Sequence, residues 1–113
     1  MYEIVYDAVR AALRAENGGG DPRLLRRFEG GRVLFEDNQG KQAKEVPAEA
    51  VFRKVTSVRE KLRVLEQKLN NHPLLDNADK AEMQALISRC YGSLTTFNFL
   101  FADLDDQFKG TGG

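Results

Sequence analysis

The residues of this 113-residue chain with the most chemical potential are one histidine, one cysteine and a cluster of aspartates near the C-terminus. His72 lies in "NNHPLLDNAD", just before a proline. With no second histidine in the chain there is no pair to hold a metal or relay a proton, so the position reads as structural or solvent-facing. Cys90 falls on an apolar stripe of helical period, where a thiol behaves as a small hydrophobe. A catalytic thiol needs a base and an electropositive setting, and the neighbouring Arg89 points off that stripe. A nucleophile–histidine–acid arrangement fails for the same reason, because no base is placed near a serine.

"DLDDQF", with Asp103, Asp105 and Asp106, has the carboxylates a hard cation wants. The glycine and terminal glutamate of a calcium loop are absent, so solvated acids near a helix end are the better reading. "NGGGD" and "EGGR" lack the spacing of a phosphate-cradling loop and read as connections. Arg23, Arg26, Arg27 and Arg32 form the densest basic stretch and could touch phosphates in a nucleic-acid-binding regulator. That is the alternative reading: the chain carries 17 basic and 17 acidic residues, so no overall attraction to nucleic acid or anionic lipid is expected. The charge is uneven, however: residues 1–63 hold 13 Lys/Arg against 10 Asp/Glu, and residues 64–113 hold 4 against 7. Such a dipole favours antiparallel self-association.

Composition, at 42% hydrophobic and 30% charged, is that of one globular domain spanning 1–113. The longest apolar run, "FLFA", is far short of the roughly 20 residues that cross a bilayer. "MYEIVYDAVR" does not read as a secretory leader, and a lone cysteine suits a reducing compartment, so a cytoplasmic location is expected.

The positioning elements follow from periodicity. Ile4, Val5, Ala8, Val9, Ala12 and Leu13 predict an amphipathic helix over 1–16, ended by "NGGGDP". Residues 23–46 hold a β-hairpin region, with "RVLFE" and "QAKEV" as strands joined through "DNQGK". Val51, Val55, Val58, Leu62, Leu65 and Leu69 then step by four and three, predicting a helix over 47–71. Met83, Ile87, Cys90, Leu94, Phe97, Phe101, Leu104 and Phe108 do the same over 77–108, with Asp76 or Asn77 as the cap and 109–113 as a flexible tail. The fold class is therefore mainly α with a small β-hairpin: an antiparallel, coiled-coil-like helical hairpin plus the N-terminal helix. Gly92, inside the second long helix, calls for a local bend or the close approach of another backbone.

The aromatic end raises the functional question. At about 100° per residue, Phe99 points away from both Phe97 and Phe101, so one core face cannot take all three. Something else must cover it, either the first helix or another chain. Large aromatics concentrate at interface anchors, so Tyr91, Phe97, Phe99, Phe101 and Phe108, with Ile4 and Val5 of the first helix, are the expected partner-binding residues. No catalytic residue, cofactor, metal or small-molecule substrate is indicated. The expected function is a non-enzymatic protein-interaction module, an adaptor, scaffold or regulatory subunit, that self-associates as a homo-oligomer through helix faces.

Overall fold

The computed structural model describes residues 21–110. The helix expected over 1–16, with Ile4 and Val5, lies outside the described residues, as do positions 111–113 of the expected tail. Two strands, β1 (Arg32–Glu36) and β2 (Gln42–Pro47), precede two helices, α1 (Ala48–Asn70) and α2 (Asn77–Leu94). Short 3-10 turns at Arg26–Phe28, Thr95–Leu100 and Leu104–Asp106 complete a mainly helical chain.

The hairpin forms where turn chemistry asks for it. Asp37 Oδ1 accepts from the backbone N–H groups of Gln39 and Lys41, each at 2.9 Å, and Gly40 supplies the positive φ of 81° that closes the turn. The strands pair antiparallel with Val33 opposite Val46, and the register slips between Phe35 and Glu36. The hairpin is joined to α1 at its base: Ala48 N–H donates to Gly31 O, and the Glu49 carboxylate in the first helical turn accepts from Gly30 N–H. That bond, a second to its own backbone N–H, and the nearby Arg53 charge hold the Glu49 carboxyl below its ordinary pKa.

Asp76 caps α2, accepting from Asp79 N–H at 2.8 Å. The two helices run antiparallel. Lys80 Nζ reaches Asn70 O and Gln84 Nε2 reaches Glu66, so position numbers rise on one helix as they fall on the other.

Two expectations need correction. The second helix stops at Leu94 rather than continuing to 108. Gly92 weakens it there, and the Thr95 hydroxyl donates back to Gly92 O at 2.7 Å, competing with helical bonding. A helix carried through 95–108 would project about 21 Å further, with its phenylalanines strung along the rod. Instead the chain tightens into a 3-10 turn, becomes extended at Phe101 and pairs with the segment preceding β1. Leu25 N–H donates to Leu100 O at 2.7 Å and Ala102 N–H to Arg23 O at 2.9 Å, around a bridge between Leu24 and Phe101.

The return places Leu100, Phe101 and Phe108 in one core with Phe52 and Val55 of α1. Phe101 packs edge-on against Phe52 and Phe108, at centroid distances of 5.1 and 5.5 Å. The inward stripe of α1 is the second correction. It runs Ala48, Phe52, Val55, Arg59, Leu62, Glu66, Leu69, whereas Val58 and Leu65 of the expected stripe are exposed. Phe52 is the cause: burying its ring turns the helix by about 50° from the purely aliphatic stripe, so that Val55, Leu62 and Leu69 belong to both.

Gly92 answers its own question. Gly110 lies so close to α2 that a Cβ there would sit 2.2 Å from Ser88 O and 2.7 Å from Gly92 N. Here the chain after Phe108 passes backbone against backbone, as a mid-helix glycine permits.

The Asn98 side chain pins the return. Its amide mimics a strand partner, accepting from Phe108 N–H at 2.7 Å and donating to Phe108 O at 3.0 Å, while Gln107 Nε2 donates to Asn98 O. Asn98→Ala removes two of these bonds and leaves partly buried Phe108 backbone groups unsatisfied, a loss of roughly 2–3 kcal/mol. The expected thermal midpoint falls by about 10 °C or more by circular dichroism; an unchanged midpoint would show that Asn98 does not hold the turn.

Candidate functional site

Where α1, α2 and residues 105–109 meet, the inward stripe leaves the apolar core and becomes polar. An open cleft of about 270 Å³ lies there, with Arg59, Arg63 and Glu66 on α1, Tyr91 on α2, and Phe108 and Lys109 on the returning segment. Arg59 is 9% exposed. Its Nε donates to the backbone carbonyl of Asp106 at 3.0 Å, and its Nη2 lies 3.7 Å from the Asp106 carboxylate. Burial, together with Arg63 one helical turn away, lowers its pKa from the ordinary guanidinium value.

Glu66 serves two donors. The Tyr91 hydroxyl donates to one carboxylate oxygen and Gln84 Nε2 to the other, the latter at 2.8 Å. Because Glu66 only accepts, Gln84 must turn its NH₂ inward, and its Oε1 is buried without a partner among the described residues. Burial pushes the Tyr91 phenol well above its ordinary pKa, and the adjacent Glu66 carboxylate adds to the shift. Sequence reading missed Arg59, Glu66 and Gln84 because it looked for an all-aliphatic stripe; the signal was Phe52, the one aromatic on α1, lying off that stripe.

The opposite side of the helix pair is bare. The contacts of Glu66, Gln84 and Tyr91 fix which sides of α1 and α2 face each other, and helical geometry then puts Val58 and Leu65 on the same side of the layer as Met83, Leu86 and Cys90. The returning segment covers the other side, against Ser88 and Gly92. Val58, Leu65, Met83 and Leu86 are 44, 51, 43 and 56% exposed. Cys90, expected on the core stripe, is also exposed. Lys54, Lys61 and Lys68 punctuate this side of α1, and Asp79 begins it on α2.

The aromatic partner-binding set divides. Phe101 and Phe108 are buried in the core, and Tyr91 and Phe97 pack against it, so this chain covers them itself. The reason is the turn at Thr95, which folds the aromatic end back on α1. Phe99 alone of the five is exposed, at 56%, with its ring edge-on to Phe28 at 5.5 Å.

The four arginines are not brought into one row. Arg23 is mostly buried and pairs with both oxygens of Asp103, at 3.0 and 3.2 Å. Arg32 pairs with Glu45, and Arg27 lies over the Phe28 ring. Arg26 and Arg27 are exposed in the 3-10 turn. The aspartates of "DLDDQF" likewise diverge: Asp103 goes to Arg23, Asp106 to Arg59, and Asp105 to solvent. Among the described residues no group of three or more His, Cys, Asp or Glu could hold a metal ion, and no helix is long and apolar enough to cross a membrane.

Residues 21–107 match the protein-family model described as Domain of unknown function (DUF8685), and the chain belongs to that family. No curated protein and no solved structure gives a significant match.

A pH dependence follows from Tyr91. Its folded pKa is raised above the unfolded value near 10, so folding favours the protonated phenol and stability falls as pH rises above about 10. Urea denaturation of wild type and Tyr91→Phe between about pH 8 and 11 is expected to show a steeper alkaline loss in wild type; parallel curves would place Tyr91 in a solvent-like environment.

Proposed function

We propose that this member of the DUF8685 family is a non-enzymatic protein-interaction module, an adaptor, scaffold or regulatory subunit, that self-associates through the bare side of its helix pair. One observation carries the reading: Val58 and Leu65 on one helix and Met83 and Leu86 on the other are exposed on a common side. Large apolar side chains gathered on one exposed side are characteristic of interaction sites. Two antiparallel helices of coiled-coil-like spacing form a rigid platform for it.

A second copy is the occupant that the charges favour. In a two-fold contact each α1 lies along the partner's α2, so Lys68 near the end of α1 approaches the acidic start of that helix at Asp79 and Glu82. Ile4 and Val5, outside the described residues, stay in the proposed partner-binding set on their sequence pattern alone. The proposed surface thus moves from the aromatic end to the helix flanks, leaving Phe99 as a peripheral contributor. In a cytoplasmic setting the exposed Cys90 would stay reduced beside this surface.

Light scattering coupled to size exclusion tests the reading. Wild type is expected to run as a homodimer, and Leu65→Glu or Leu86→Glu to weaken association roughly 100-fold while keeping the helical circular dichroism signal. Phe99→Ala is expected to change association little. A monomer in wild type at all concentrations would remove self-association, and dissociation by Phe99→Ala alone would return the contact to the aromatic end.

A further inference from the structure

The cleft between α1, α2 and the returning segment has no role in that dimer, because it opens on the covered side of the helix pair. Its charges are arranged unusually. Arg59 and Arg63 stand one turn apart on the same helix, where like charges destabilise each other. Lys109 brings a third cation from a segment distant in sequence. Among the described residues neither Arg63 nor Lys109 makes a hydrogen bond or ion pair, and both are exposed.

Arg59 makes its hydrogen bond through Nε alone and is paired with the Asp106 carboxylate by charge. Its Nη2 is 3.7 Å from the Asp106 carboxylate, too long for a hydrogen bond, so the terminal nitrogens retain donors for a ligand. The carboxylates at the cleft are largely committed: Glu66 accepts from Tyr91 and Gln84, and Asp106 lies beside Arg59. Asp105 is exposed at the rim. The half-buried Tyr91 ring, tilted against the buried Phe108 at a centroid distance of 6.1 Å, gives the cleft an aromatic wall.

We propose that this cleft binds a small organic phosphomonoester, its phosphate oxygens bridging Arg59, Arg63 and Lys109 and its apolar part resting on Tyr91. A dianion with three acceptor oxygens matches three convergent cations, and a planar guanidinium presents two parallel donors to such a group. Binding relieves the repulsion between Arg59 and Arg63. The volume of about 270 Å³ exceeds what bare phosphate fills, leaving space for an attached group.

Titration of the full chain with phenyl phosphate, followed by calorimetry and by amide shifts in nitrogen-15 spectra, tests this. Inorganic phosphate, and sodium chloride at matched ionic strength, serve as comparisons. Phenyl phosphate is expected to saturate and to bind more tightly than phosphate, with shifts at Arg63, Tyr91 and Lys109. Arg63→Gln and Lys109→Gln, both at exposed positions, should each weaken it roughly tenfold, whereas Lys54→Gln on the other side of α1 should not. Vesicles containing phosphatidic acid separate the sources of the monoester. Recruitment abolished by Arg63→Gln identifies a lipid headgroup, and saturation by phenyl phosphate without recruitment identifies a soluble ester. A response matched by sodium chloride, or insensitive to Arg63→Gln and Lys109→Gln, overturns the site, and equal affinity for phosphate and phenyl phosphate overturns the role of the aromatic wall.

Discussion

Two antiparallel helices can bury only the stripes they turn toward each other, and at their open end those stripes need a third element. Here the chain provides it by reversing after Leu94 and bringing Phe101 and Phe108 under Phe52. The reversal is stabilised by polar groups as much as by rings. Asn98 ties down the Phe108 backbone, Arg59 holds the Asp106 carbonyl, and Arg23 holds Asp103 across the bridge to the segment before β1. Arg59 and Arg23 reach their partners across 47 and 80 residues of sequence, and each would otherwise be a buried polar group lacking a bond. The core and this hydrogen-bonded clasp therefore form together or not at all.

This dependence explains what could be read from the chain beforehand. The β-hairpin was legible because its information is local: "DNQGK" contains both the aspartate that accepts two backbone bonds and the glycine at positive φ. The Asp76 cap was legible for the same reason. The end of α2 was not. Phe97, Phe101 and Phe108 satisfy a four-and-three spacing by coincidence, and what holds the chain in its return after the helix ends is a pairing between Asn98 and Phe108 that no periodicity encodes. Thr95, Thr96 and Gly92 carried a real local preference against helix, outweighed in a reading based on apolar spacing alone.

The site was obscured by the same bias. A seam containing Arg59, Glu66 and Gln84 is invisible to a search for apolar stripes, although it repeats at the spacing of one. Burying these groups contributes little net energy, because desolvation offsets most of the attraction. Their value lies in specificity: the bonds from Tyr91 and Gln84 to a single carboxylate admit one pairing of the helices. Placing polar groups in the seam also leaves aliphatic residues on the flank, since Val58 and Leu65 sit where a purely apolar coiled coil would have turned them inward.

Glu66 consequently sets the axial phase of the pair. A slip of one helical turn, about 5.4 Å, would carry Tyr91 and Gln84 past the carboxylate and break both of its bonds. Shear between the helices, a common way for packed helices to transmit a signal, is blocked.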